Sequence, residues 1–201
     1  MKIRKLVYLA MLSFLLTACG GKKENSISRV DPEAASQAYL ALLKKEGEKK
    51  VQVDSIFYGI HLKMKASEFY EHCNRMYKKG VFDGGYDMQV KVKLVAPFKR
   101  PVKLRFYPSF EKLFISKLDC QFGYEHANIF NNADRANVLM KELIPVLRSW
   151  YPGNEFLALP SDNPLKGPMY VKIDSNRKIM VSESDNGTEV DVVFEDLRPL
   201  N

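Results

Sequence analysis

Met88-Gln89-Val90-Lys91-Val92-Lys93-Leu94 alternates apolar and polar residues, and so do Val102-Lys103-Leu104-Arg105-Phe106 and Lys117-Leu118-Asp119-Cys120-Gln121-Phe122. In an extended chain, residues two apart share a face. Each run therefore predicts a strand with one buried and one solvated side. Pro97, Lys99, Arg100 and Pro101, then Pro108 and Ser109, read as turns between them. The three runs predict an antiparallel meander.

Upstream, Val51 to Leu62 reads as a strand around Gly59, and a helix opens at Ser67-Glu68. Phe69, Cys73, Met76 and Tyr77 fall on one face of that helix, and Gly80 stands where a C-cap belongs. Further upstream, Asp31-Pro32-Glu33 carries the marks of a helix start, and the apolar spacing continues to Leu43. Downstream, a helix is predicted over residues 133–150. Asn132 is its cap, Val138, Leu139, Leu143, Ile144, Leu147 and Trp150 form its apolar face, and Pro145 bends it. After a loop from Pro160 to Pro168, strands are expected near Met169–Ile173, Lys178–Ser182 and Thr188–Glu195. Asp185-Asn186-Gly187 between the last two is a hairpin signal. The chain thus reads as α+β: helices packed on one face of an antiparallel sheet, with a helix-plus-three-strand-meander unit used twice. The globular part spans residues 51–201, divisible into halves 51–130 and 131–201, and the helical segment 31–50 precedes it.

The N-terminus has a different character. Lys2, Arg4 and Lys5 precede an apolar run from Leu6 to Leu16, about half of the roughly 20 residues a spanning helix needs. A basic start, a short apolar centre and small residues after it form a secretory signal. Leu16-Thr17-Ala18-Cys19 resembles the lipobox of bacterial lipoproteins. That resemblance implies cleavage of residues 1–18, diacylglyceryl transfer to Cys19 and membrane attachment through lipid. With Gly20 rather than an acidic residue next, the same resemblance implies the outer membrane if the cell is Gram-negative. Residues 19–30 then form a polar tether with a mean reach of roughly 18 Å. Lys22 and Lys23 lie where anionic headgroups would attract them.

Charge is unevenly spread. The leader holds three of the 31 basic residues and none of the 24 acidic ones, so removing it leaves 28 against 24, a net +4. That balance and the export signal argue against a nucleic-acid partner. Between Tyr86 and Lys117, eight basic residues face two acidic ones. Between Ser182 and Arg198, six acidic residues face one basic residue. If the meander forms, Lys91, Lys93, Lys103, Arg105 and Lys117 share its solvated face. Such a face attracts an anionic envelope polymer or an acidic protein surface. Alternatively, the lysines guard a sheet edge and the acidic hairpin balances the basic strands within one continuous sheet.

Signs of chemistry are few. The chain contains no His-Glu-x-x-His, Gly-x-Ser-x-Gly or Cys-x-x-Cys and no phosphate-cradling glycine loop. His72-Cys73 and Glu125-His126 are sequence neighbours, and adjacent helix positions diverge by about 100°, which does not suit a shared metal. Neither a metal nor a cofactor is implied. Cys73 and Cys120 read either as buried thiols or as a disulfide of an exported protein.

The helix-then-meander layout over residues 51–197 resembles the tandem domains of the beta-lactamase-inhibitor-protein-like group, which includes small lipoproteins of barrel-assembly machinery. Gly59-Ile60-His61-Leu62-Lys63-Met64, running into Ser67-Glu68, is similar to the strand-to-helix opening of exported lipoproteins. The resemblance implies a binding module rather than an enzyme. The expectation is a membrane-anchored, non-catalytic binding or assembly module of the cell envelope. The alternatives are an inhibitor or immunity-type lipoprotein acting on a hydrolase through the loop Asn154 to Lys166, and an envelope enzyme with a scattered site near His61 or His126.

Overall fold

A computed structural model describes residues 30–84 and 89–198. The expected leader, Cys19, Lys22, Lys23 and Met88 lie outside the described residues. Three helices and eight strands follow in order: α1 (Pro32–Gly47), α2 (Ala66–Lys78), β1 (Asp83–Gly84), β2 (Val90–Leu94), β3 (Val102–Glu111), β4 (Phe114–Tyr124), α3 (Ala136–Trp150), β5 (Leu157–Leu159), β6 (Met169–Asp174), β7 (Arg177–Glu183) and β8 (Glu189–Asp196). A single 3-10 turn, Asn132–Asp134, precedes α3. The protein is α+β.

All eight strands belong to one antiparallel sheet in the order β1-β2-β3-β4-β8-β7-β6-β5. β4 and β8 therefore meet at its centre, with Cys120 opposite Val192 and Phe122 opposite Val190. The alternation read in the sequence decides which face is buried. Val92, Leu104, Phe106, Leu118, Cys120, Phe122, Val190, Val192, Phe194, Ile179 and Val181 all join one core. Leu139, Leu143 and Leu147 of α3 and Phe69 of α2 complete the same core. α1 packs instead against β5 and β6, and its buried residues, Ala35 and Glu46, stand outside that cluster. In β6 the alternation disappears: Val171, Lys172, Ile173 and Asp174 are all buried.

Local chemistry sets the helix ends. The Asp31 carboxylate accepts the Glu33 and Ala34 amides at 3.0 and 3.4 Å, and Pro32 follows it at the first helical position. Gly80, at φ 68, turns the chain just beyond α2. Asn131, not Asn132, accepts from the turn before α3, whose axis starts only at Ala136.

Two expectations change. Residues 51–62 do not form a strand: a single bridge joins Ser55 to His61 around a tight turn at Tyr58 and Gly59, both at positive φ. Some backbone groups of this segment bond to each other across the turn, as the Leu62 amide does to the Asp54 carbonyl at 2.8 Å, and others bond to distant side chains. Arg177 donates to the Ser55 carbonyl at 2.7 Å, the Tyr151 hydroxyl donates to the Ile56 carbonyl at 3.0 Å, and the Val53 amide donates to Asn176 Oδ1 at 2.7 Å. Pro108, expected in a turn, is instead a residue of β3 opposite Leu118. Among the described residues, β2 pairs with β3 as far as Phe106, and Pro108 lies beyond that pairing.

Candidate functional site

The five basic residues singled out above stand on the sheet face opposite the core. Register places Lys91 beside Arg105, Arg105 beside Gln121, and Gln121 beside Asp191, which faces Ser182. In the next row, Lys93 lies opposite Lys103, Lys103 opposite Gly123 and Gly123 opposite Glu189. Lys117 lies further along β4, opposite Glu195. The face thus grades from basic at β2 and β3 to acidic at β8.

Much of this charge is internally matched. Glu189 Oε1 and Oε2 take the Arg105 guanidinium at 2.7 and 2.6 Å, and Gln121 Oε1 accepts from the same group at 3.0 Å. Gly123 makes this pairing geometrically possible. A Cβ there would lie 2.9 Å from Glu189 Cγ, so only a bare backbone lets Glu189 cross β4 to reach β3. Lys93 contacts Glu125 at 2.7 Å, Lys117 contacts Asp119 at 3.0 Å, and Lys178 contacts Glu195 at 2.5 Å. The Lys93 ammonium holds the Glu125 carboxyl below its ordinary range. A shallow hollow on this face is lined by Gln89, Arg105, Tyr107, Asp119, Gln121 and Asp191. Burial there raises the Asp191 carboxyl, against hydrogen bonds that lower it.

Sequence reading missed a second concavity. A groove of about 1090 Å³ runs between the start of α1, the outer side of α3 and the 160–168 loop. Pro32, Met140, Ile144, Pro164, Leu165 and Tyr170 give it an apolar lining. Pro145, expected to bend α3, lies on this side. These residues were legible as helix and loop, but nothing in their spacing shows that α1 comes beside α3.

The histidines and cysteines do not converge. His61 Nδ1 lies 2.9 Å from its neighbour's carbonyl, and His61 Nε2 is 3.9 Å from Glu68. His72 Nε2 lies 2.7 Å from the Tyr58 carbonyl. Among the described residues, no three His, Cys, Asp or Glu side chains gather to hold a metal. Cys73 and Cys120 are free thiols. Burial pushes the Cys73 thiol up to about 11 and the Cys120 thiol well above its ordinary value.

At the far end of the sheet, the β6–β7 turn and α1 share a buried polar cluster. Glu46 Oε2 accepts the Ser175 amide at 2.7 Å and contacts Lys49 at 2.7 Å. Asp174 pairs with Lys172 at 3.0 Å and with Arg177 at 3.4 Å. These contacts hold α1 to the sheet, although Glu46 Oε1 and Arg177 Nε are buried there without a hydrogen-bond partner.

Among the described residues, no helix is long and apolar enough to cross a membrane. Comparison with family models, with curated proteins and with solved structures finds no match to this chain.

Proposed function

We propose that this chain is a lipid-anchored, non-catalytic binding or assembly module of the bacterial cell envelope, attached through Cys19 and placed in the outer membrane if the cell is Gram-negative. The anchor rests on Leu16-Thr17-Ala18-Cys19. The observation that carries the binding role is the graded solvated face of the sheet, with Lys91, Lys93 and Lys103 on its outer strands. An envelope protein or polymer with an acidic surface fits the β2–β3 side, where acidic neighbours are fewest. Arg105 and Lys117 frame that surface, but the partners Glu189, Asp119 and Glu125 also give Arg105, Lys117 and Lys93 a part in the fold. The helix-and-meander unit used twice belongs to the same proposal. It would consist of α2 with the meander β2–β4 and α3 with the meander β6–β8, joined through β4 and β8.

The test is crosslinking of the full lipidated chain in its own envelope, followed by mass spectrometry. A double variant, Lys91→Glu and Lys103→Glu, leaves the Arg105–Glu189 and Lys93–Glu125 pairs intact. Loss of a captured partner in this variant is expected. Undiminished capture would remove the basic face from the proposal.

A further inference from the structure

The antiparallel order brings four connections to one end of the sheet: residues 95–101, 125–135, 160–168 and 184–188. Hydrogen bonds join them in series. Arg100 donates to Asp134 Oδ1 at 2.5 Å and to the Ala133 carbonyl at 2.6 Å. The Ala136 amide donates to the Gly187 carbonyl at 2.9 Å. Lys166 donates to the Glu183 carbonyl at 2.9 Å and to Asp185 Oδ1 at 2.6 Å. Val30, where the described chain begins, lines the same groove as Pro164 and Leu165.

This end carries Phe130, 93% exposed, and Leu165, 92% exposed, the two most exposed large hydrophobic side chains among the described residues. Val95 and Ile129 are exposed beside them in the series. Both apical residues are held out by the same device. Asn128 Oδ1 accepts the Phe130 amide at 3.0 Å, and Asn163 Oδ1 accepts the Leu165 amide at 2.9 Å. Each loop is then tied down from behind, the first by Asp134, which accepts from the Asn128 amide and the Asn131 side chain, and the second by Lys166.

We propose that this end of the domain docks on the phospholipid bilayer, with Phe130 and Leu165 inserted among the headgroups and upper acyl chains. The inference rests on the anchoring proposed for Cys19. Residues 19–29 join Cys19 to Val30, with a mean reach of roughly 18 Å. The longest strands, β3 and β4, are about 35 Å long. A tether whose mean reach is well short of that favours orientations with the end it joins toward the membrane. Exposed apolar side chains at that end then meet lipid rather than water.

The test uses the full lipidated chain in vesicles of phosphatidylethanolamine and phosphatidylglycerol with brominated acyl chains. In a Cys73→Ala background, a fluorophore is placed at Ile129→Cys, at Asp162→Cys or, as the far-end control, at Glu111→Cys. Labels at 129 and 162 are expected to be quenched and blue-shifted, and the label at 111 to be neither. Adding Phe130→Ser and Leu165→Ser should bring the first two to the level of the control. Equal quenching at all three positions in a chain whose intact mass shows lipid would overturn the docking and leave the anchor standing. A mass without lipid would overturn the anchor and the docking together. Crosslinking of the 129 or 162 position to a protein, without lipid quenching, would overturn the bilayer as the occupant.

Discussion

At the scale of single residues, the most informative position is one without a side chain. Gly123 leaves the space that Glu189 needs to reach Arg105. Gly123→Ala is expected to destabilise the protein by about 1–3 kcal/mol, as overpacking does, measured by urea denaturation. In a Glu189→Ala background, where the obstructed side chain is gone, the same change should be neutral or stabilising; an equal loss in both backgrounds would refute the clearance argument. Asp134 offers a test through pH. The Arg100 guanidinium, with the Asn128 amide, holds its carboxyl below its ordinary value. The unfolded aspartate, near 3.9, takes up its proton first as pH falls, so this pair contributes stability above about pH 4 and loses it below. The urea midpoint of the native chain should therefore fall more steeply between about pH 5 and pH 3 than that of Asp134→Asn; parallel falls would contradict this. Cys120 is 1% exposed, so an alkylating reagent should modify it only at the rate of unfolding. Fast labelling of Cys120 in the native protein would show that the core is not closed there.

At the scale of elements, the strands were the most readable part. Val90 to Leu94 and Val102 to Phe106 show their burial in their alternation, because each has one wet side. β6 was expected as a strand near Met169–Ile173, but with Val171 to Asp174 all buried it has no alternation to show its faces. β5, only three residues long, gave no pattern to read. The 51–64 segment looks like a strand because Ile56, Ile60, Leu62 and Met64 are buried. Its backbone, however, is held by Arg177 and Tyr151, more than 90 positions away, and no local pattern reports such partners. The same holds for the candidate site. The basic residues were visible in sequence, but their neutralisation by Glu189, Glu125 and Asp119 depends on register. α1 is tied to the sheet chiefly at its C-terminal end. Burial pushes the Glu46 carboxyl up, but Lys49 and the Ser175 amide draw it net below its ordinary value. Glu46→Ala leaves the buried Ser175 amide without its acceptor and should cost about 1–3 kcal/mol. Limited proteolysis should then cut first near Lys49 and Lys50. An unchanged cleavage pattern would show that α1 is held by other contacts.

At the scale of the whole molecule, one core receives side chains from both halves of the sheet. Leu104, Phe122, Val190 and Ile179 belong to the same buried cluster. Thermal unfolding should therefore be a single transition seen alike by near- and far-ultraviolet circular dichroism. Two separated transitions would mean that residues 51–130 and 131–201 fold as independent units. That the last described strand lies at the centre of the sheet also sets an order in time. Until residues 189–196 have emerged, β4 presents a bare edge and the two halves of the sheet have nothing to join them. The chain must extend through Asp196 before the sheet can close. Under the export and lipid anchoring proposed above, late closure would let translocation and acylation precede the step that makes the domain rigid.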